Sequence, residues 1–132
     1  GPRRMGTDKH DDVLYVGNSW AGTLAKINTR TQETTTIPLP PLRKPYHVAV
    51  DSQHNAWLNI WMTDQVLRYD PKANSFTAFD IPTRGSEVRY VSVHEKDGKM
   101  QVVLPSYRTR KVSVMAFRSE ADIQATKAQA AQ

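Results

Sequence analysis

The chain has 132 residues, which is enough for one ordinary domain or for part of a larger one. Hydrophobic residues make up 39% and charged residues 23%, a balance typical of globular protein, and the absence of cysteine excludes disulfides, thiolate metal ligands and a cysteine nucleophile. The formal net charge is +5, but the basic residues are scattered and form no polybasic block.

The chain repeats itself with an offset of about 42 residues. Leu14-Tyr15-Val16 aligns with Ala56-Trp57-Leu58, and the segment 24–28 aligns with the segment 66–70. A third, more degenerate copy follows at a slightly longer offset, over residues 84–118. Agreement in order across a whole unit indicates a repeat architecture rather than one chance hydrophobic pattern.

Each unit has the pattern of short β-strands. The first unit lacks an evident opening strand, because residues 3–12 are polar. In the second unit we predict strands at His47–Val50, Asn55–Trp61, Gln65–Asp70 and Ser75–Ile81. We predict turns at Asp70–Asn74 and, in the third unit, at Asp97-Gly98.

The third unit has three clear strands, and a helix is predicted to follow them. Ser119 is suited to be the helix N-cap, with Asp122 three residues later and an alanine-rich body that runs to Ala131. No helical periodicity occurs before this segment.

Four strands per 40–45 residues is the period of a β-propeller blade. The sequence therefore predicts an all-β fold of about three four-stranded antiparallel blades, a partial β-propeller over residues 1–118, with a short C-terminal helical tail at 119–132. We place the blades at about 11–41, 42–83 and 84–118. Because propellers close with typically 4–8 blades, we expect further blades of a longer chain, or further copies of this chain, to complete the ring.

The repeat resembles that of the virginiamycin B lyase (streptogramin lyase) propeller family. Residues 55–69 read N-A-W-L-N-I-W-M-T-D-Q-V-L-R-Y, and the family repeat runs roughly G-N-L-W-F-T-E, then K-I-G-R-I. The flanking P-Y-H-V-A-V-D and F-T-A-F-D-I-P resemble the family's P-H/Y-G-I-A-V-D and F-T-E-Y-P-L-P. The resemblance covers about residues 11–117 and implies the C-terminal portion of a bacterial propeller that is periplasmic or secreted.

The resemblance also implies a lyase chemistry that uses a histidine base and a magnesium ion held by acidic groups. The histidine position is occupied by Tyr46 and Arg89, and the acidic position by Asn18, Ile60 and Leu104. None of these residues is a histidine or a carboxylate. The sequence therefore provides no evident cofactor or metal site, and Mg²⁺ is implied by the resemblance alone.

Two classes of function stay open. In the first, the chain is a ligand-binding or scaffold module whose channel face binds a small or carbohydrate-like ligand, either neutral or anionic. Its candidate residues are Asn18, Trp20, Asn59, Trp61, Arg89, Tyr107 and Arg108. The aromatic residues suit stacking on a flat ligand and the arginines suit carboxylate or phosphate, although rim aromatics also pack between blades and loop arginines also stay solvated.

In the second class, the chain belongs to a metal-dependent lyase or a lactonase-like enzyme whose site is completed by other blades or subunits. Glu87, His47 and Tyr46 are then the candidate acid–base groups, because Glu87 lies two residues before Arg89 as an acidic residue can in the family's catalytic blade. His47 is also suited to packing or hydrogen bonding within the sheet, since it is one residue late for the family's histidine.

The remaining histidines and the charge pattern point to no further site. His54 falls in a hairpin and is expected to be solvated, while His10-Asp11-Asp12 and His94-Glu95 offer no three converging ligands. We expect no nucleic-acid partner, because no recognised motif accompanies the positive charge. We also expect no membrane partner: no apolar run approaches the roughly 20 residues that span a bilayer, and residues 1–12 show no secretory leader.

Overall fold

In the computed structural model, which describes residues 1–132, the chain forms three antiparallel β-sheets and one helix. The first sheet contains β1 (Pro2–Asp8), β2 (Val13–Asn18), β3 (Thr23–Asn28) and β4 (Thr34–Pro38). The second contains β5 (Pro45–Val50), β6 (Ala56–Ile60), β7 (Gln65–Asp70) and β8 (Ser75–Asp80). The third contains β9 (Ser92–Lys96), β10 (Lys99–Pro105) and β11 (Val112–Ala116), and α1 (Glu120–Ala130) follows.

The three sheets are arranged as consecutive blades around their first strands. Within each sheet the strands lie side by side in chain order, and β5 contacts β1 on one side and β9 on the other. A Cβ atom at Gly6 would lie 2.3 Å from the carbonyl oxygen of Val48, so only glycine permits this approach of β1 to β5. This arrangement confirms the predicted partial β-propeller.

The expectation that the first unit lacks an opening strand was wrong. Residues 2–8 form β1, which pairs with β2 from Met5 opposite Val16 to Asp8 opposite Val13. The strand is held by main-chain hydrogen bonds and by the close contact at Gly6, and most of its side chains are exposed. A strand of this kind needs no alternation of apolar residues, so the polar sequence of β1 did not indicate a strand.

Two hydrophobic clusters fill the spaces between neighbouring sheets. The cluster between the first and second sheets contains Tyr15, Leu24 and Leu58, and the cluster between the second and third contains Trp57 and Val102. Every residue of β6 is buried, because its alternating side chains enter the two clusters in turn. Sequence analysis places Trp57 on this central strand, and the structure buries it completely.

The predicted turns are present. The Asp70 carboxylate accepts hydrogen bonds from the main-chain N–H groups of Lys72 at 2.9 Å and Ala73 at 3.2 Å. Asp97 and Gly98 have positive φ angles of 53° and 72°, as a two-residue type I′ hairpin requires.

The predicted helix is also present, and a capping box fixes its beginning. The Ser119 hydroxyl accepts from the N–H of Asp122, and the Asp122 carboxylate accepts from the N–H of Ser119. No residue of α1 is buried. This helix is too short to cross a membrane, and no helix of the chain is long and apolar enough to do so.

Substitution of Trp57 tests the core between the second and third sheets. Its indole fills this core and donates to the buried Asp51 carboxylate at 2.9 Å. Trp57→Ala should lower the free energy of unfolding by about 3–5 kcal/mol, as the loss of a buried aromatic side chain does. Trp20→Ala, which removes an indole that is 75% exposed, should change it by no more than about 0.5 kcal/mol. Urea unfolding followed by circular dichroism measures both values, and equal losses would contradict this packing.

Candidate functional site

One end of the second and third sheets carries a cluster of aromatic and charged side chains, which we call the rim cluster. Its members come from the start of β5, the turns β6–β7 and β10–β11, and the connection from β8 to β9. They are Tyr46, Trp61, Glu87, Arg89, Tyr107 and Arg108. The connection is fixed beside the β10–β11 turn by a bridge between Val88 and Ser106, and the Ser106 hydroxyl donates to the Ser86 carbonyl at 2.6 Å.

Glu87 is the electrostatic centre of the rim cluster. Its carboxylate accepts from the guanidinium of Arg89 at 2.5 Å and from that of Arg108. The hydrogen bond from Arg89 and the second from Arg108 lower the pKa of Glu87, and the same carboxylate raises the pKa of Arg89. The carboxylate therefore stays ionised, and the three side chains together carry one net positive charge.

Aromatic rings hold the Arg89 guanidinium in place. Its central carbon lies 4.4 Å from the ring centroid of Tyr107 and 5.9 Å from that of Trp61. Trp61 in turn meets Tyr46 edge-on, with ring centroids 5.9 Å apart. The indole N–H of Trp61 is buried and has no hydrogen-bond acceptor in the protein.

A cleft of about 300 Å³ opens beside this arrangement. It is lined by Trp61, Met62, Asp64, Gly85, Glu87 and Arg108. The Asp64 carboxylate accepts from the N–H groups of Gly85 and Ser86, each at 2.9 Å, and so anchors the floor of the cleft. The Arg108 side chain is 71% exposed and faces solvent. The cleft therefore combines a fixed aromatic wall with an accessible cation.

His47 and Asn59 lie below the rim cluster and link β5, β6 and the β8–β9 connection. The Asn59 amide is fully buried, accepts from the His47 N–H at 2.9 Å and donates to the Val88 carbonyl at 2.5 Å. The His47 Nδ1 accepts from the Val91 N–H at 3.1 Å, and its ring stacks on Tyr90 with centroids 4.4 Å apart. Both side chains therefore join neighbouring blades.

Burial, with a further contribution from Arg4, lowers the pKa of His47. Because Nδ1 is an acceptor, the neutral ring carries its proton on Nε2. This geometry favours a structural contribution, and the assignment of Glu87, His47 and Tyr46 as acid–base groups stays a prediction.

Trp20 and Asn18 bond within the first sheet and its loops rather than to the rim cluster. The Asn18 amide donates to the Thr23 hydroxyl at 3.3 Å, and the Lys44 ammonium donates to the Trp20 carbonyl at 2.8 Å. The structure thus brings together six residues at one end of the second and third blades and leaves these two on the first. Their role as ligand-binding residues stays a prediction.

A group of possible metal ligands lies at the opposite end of the sheets. One ligand atom from each of Asp8, Asp11 and His54 lies within 4.8 Å of the others. His54 lies in the β5–β6 hairpin and its side chain is 45% exposed, but its Nδ1 also lies 2.6 Å from the carboxylate of Asp8, which is only 3% exposed. No local sequence signal marks the pair, because Asp8 and His54 belong to different blades. The matching position of the β1–β2 and β5–β6 hairpins in the repeat could have revealed it.

Comparison with solved structures supports the fold at low sequence identity. Streptogramin B lyase is 12% identical with a TM-score of 0.67, and the match covers 90% of this chain and 41% of that one. Virginiamycin B lyase from Staphylococcus aureus is 16% identical with a TM-score of 0.66, covering 90% and 42%. Regucalcin, a calcium-binding protein from Agrobacterium tumefaciens, is 15% identical with a TM-score of 0.65, covering 96% and 42%.

These similarities define the chain as a β-propeller segment with a virginiamycin B lyase-like fold, as the sequence predicts. The chain spans less than half the length of each of these structures. No family model and no curated protein matches the sequence. At these identities the similarity establishes the fold alone.

The two inter-blade histidines should titrate on opposite sides of the ordinary histidine pKa of about 6.5. The hydrogen bond and charge of Asp8 raise the pKa of His54, whereas burial lowers that of His47. NMR titration of the imidazole protons measures both. Asp8→Asn should move the pKa of His54 down towards the ordinary value and leave that of His47 unchanged. An unaltered His54 titration in this variant would contradict the pairing.

The same pair should give a pH-dependent stability. Since the folded-state pKa of His54 exceeds the unfolded value, its contribution is complete below about pH 6.5 and is lost as the pH rises through the folded-state pKa. The difference in Tm between the wild type and His54→Gln should therefore shrink with increasing pH. A difference that grows as the pH rises would show that the pair does not act in this way.

Proposed function

We propose that this chain is a ligand-binding and scaffold module of a virginiamycin B lyase-like propeller, and that the rim cluster binds a small, carbohydrate-like anionic ligand. The observation that carries the proposal is Arg89, held between Tyr107 and Trp61 and joined through Glu87 to the exposed Arg108 beside an open cleft. Preorganised cations next to aromatic faces recognise flat or ring-shaped anions.

Side chains of the rim cluster, in the cleft and beside it, support this ligand class. Arg108 keeps exposed guanidinium N–H groups that can donate to a carboxylate or phosphate oxygen. The ring of Tyr107 is 67% exposed and offers a face for stacking on the apolar side of a sugar. Trp61 also lines the cleft and adds an aromatic side chain to its wall.

The residues in and near the rim cluster, and those at the positions that correspond to the lyase's acidic ligands, do not fit a magnesium ion. The positions where the lyase resemblance expects acidic ligands hold Asn18, Ile60 and Leu104, and the last two are buried apolar side chains. The two carboxylates that line the cleft already have partners: Glu87 is bound by Arg89 and Arg108, and Asp64 accepts from the N–H groups of Gly85 and Ser86. Binding without a metal is therefore the function that these residues support best, and a metal-dependent lyase or lactonase-like activity requires residues from other blades or subunits.

The outward face of the first sheet indicates that the propeller continues beyond this segment. The outward face of the first sheet carries Leu14, Val16 and Ile27, which are only half-buried although they alternate with core residues of β2 and β3. In a closed ring a neighbouring blade covers such a face. We therefore propose that further blades of a longer chain or further copies complete the ring, in a periplasmic or secreted bacterial protein.

A sugar carboxylate tests the proposed ligand class. Glucuronate should shift the amide resonances of Trp61, Arg89 and Arg108 in an NMR titration, while glucose at the same concentration should shift them much less. Arg108→Ala should weaken glucuronate binding roughly tenfold, the effect of losing about 1.5 kcal/mol from one charge-assisted hydrogen bond.

The matched control is Arg30→Ala. Arg30 lies in the β3–β4 turn, is 76% exposed and approaches Asp12 at 3.6 Å, so its removal lowers the net charge equally without touching the cleft. Its glucuronate affinity should stay within about twofold of the wild type, since an exposed pair of this kind contributes little. Equal losses in the two variants, or equal binding of glucose and glucuronate, would overturn the proposal.

A further inference from the structure

Two arginines of the first blade, Arg3 and Arg4, lie beside the rim cluster. The strand β1 begins at the same end of the sheets, because Pro2 lies opposite Asn18, the last residue of β2. The central carbons of the two guanidiniums lie 5.7 Å and 5.9 Å from the ring centroid of Tyr46. Tyr46 therefore joins the first blade to the rim cluster.

An irregular pairing of β1 with β2 brings both side chains to the same ring. Successive side chains of a regular strand point to opposite faces of the sheet. The register of β1 against β2 shifts between Pro2 and Met5, and this interval contains both arginines. Irregularities of this kind re-aim side chains at the edge of a sheet. The fold therefore places two guanidiniums together at the rim.

The charges of these two arginines are not neutralised within the chain. Neither Arg3 nor Arg4 forms an ion pair with a carboxylate, and both residues are exposed. The rim cluster, by contrast, carries one net positive charge, because Glu87 neutralises one of its two arginines. Two positive charges beside the rim cluster are thus available to a second anionic group.

The end of the sheets that carries the rim cluster is positively charged as a whole. Its strand ends and connections contain nine Lys or Arg residues and three Asp or Glu residues. They are the segments 1–4, 18–23, 39–46, 60–65, 80–91 and 104–112. The opposite end contains five Lys or Arg residues and eight Asp or Glu residues. It consists of the segments 8–13, 28–34, 50–56, 70–75 and 95–99. This segregation attracts ligands with several negative charges to the end that carries the cleft.

We propose that Arg3 and Arg4 form a second anion subsite, and that the ligand is an acidic oligosaccharide with carboxylates on at least two sugar rings. The inference rests on the proposed function, since it extends the same site. One carboxylate binds Arg108 beside the cleft, and a second binds the two unpaired guanidiniums of the first blade. The cations of the two subsites lie over different rings, Tyr46 and Trp61, whose centroids are 5.9 Å apart, and they therefore suit two separate anionic groups.

The use of the aromatic rings favours a saccharide over a single-stranded nucleic acid. Proteins that bind single strands stack successive bases on open aromatic faces. Here Arg3 and Arg4 lie over the Tyr46 ring. The Trp61 ring meets Tyr46 edge-on and lies under Arg89. Rings engaged in this way orient cations, and cations are what the carboxylates of a sugar chain require.

The length of an acidic saccharide tests the second subsite. NMR titration with galacturonate and with its α-1,4-linked trimer compares one carboxylate with three. The trimer should bind about tenfold more tightly or better, because its linkage makes the second contact intramolecular. It should shift the amide resonances of Arg3 and Arg4 together with those of Trp61 and Arg108. Maltotriose, which has three sugar rings and no carboxylate, should bind much more weakly.

Paired double variants then locate the second contact. The double variant Arg3→Gln, Arg4→Gln should lose about tenfold in affinity for the trimer, down to that of a single carboxylate contact. The matched control is Lys72→Gln, Lys96→Gln, which removes two exposed, unpaired cations from the opposite end and lowers the net charge equally. It should keep the affinity for the trimer within about twofold. Circular dichroism confirms that both variants fold.

The outcomes separate this inference from the proposed function. A trimer that binds no more than about threefold more tightly than galacturonate, the statistical effect of three carboxylates, would overturn the second subsite and leave binding at the rim cluster intact. Equal losses in the two double variants would assign the effect to net charge and overturn it as well. Tighter binding of a deoxythymidine tetramer, which also carries three negative groups, would assign the subsite to nucleic acid and overturn the saccharide. Binding of neither galacturonate nor its trimer would overturn the proposed function itself.

Discussion

The structure depends on one constraint: each blade must hide both faces of its sheet against neighbours. Only the second sheet meets this requirement within the chain, because its central strand β6 sends alternating side chains into two separate cores. Leu58 enters the core shared with the first sheet, and Trp57 enters the core shared with the third. The middle blade therefore organises the other two, which are each covered on one side.

Polar groups inside the inter-blade cores define how the blades align. The Asp51 carboxylate is buried at the β5–β6 turn, where it accepts from the Trp57 indole and from the main-chain N–H of Asn55. The buried Asn59 amide joins β6 to β5 and to the connection that leads into β9. Because an unpaired buried polar group is costly, the Asp51 bonds stabilise the β5–β6 hairpin, and the bond from Asn59 to the Val88 carbonyl holds the connection into the third blade against the second at the base of the rim cluster.

The regular elements could be predicted from the sequence because their signals are local. The strands of the second blade alternate visibly, and Asp97-Gly98 and Ser119 mark a hairpin and a helix start by their own chemistry. The strand β1 could not be found in this way. Its stability comes from main-chain pairing with β2 and from the closeness of Gly6 to Val48, neither of which leaves an apolar pattern.

The candidate site was predictable in composition but not in connectivity. Strand-end positions suggested Trp61, Arg89 and Arg108, and the repeat placed them at one end of the sheets. The bond of Glu87 to Arg108 and the pairing of Asp8 with His54 join residues that are 21 and 46 positions apart in the sequence. The first depends on how the β10–β11 turn lies against the connection into β9, and the second depends on how one blade is rotated against the next. No sequence pattern reports either arrangement.

The glycine at position 6 has a consequence for the angle between the first two blades. The angle between adjacent blades determines how many of them surround the central axis before the circle closes. With the carbonyl of Val48 only 2.3 Å from where a Cβ would stand, the innermost strands of the first two blades sit as near to each other as polypeptides allow. A methyl group there would push these strands apart and alter the angle between the first two blades.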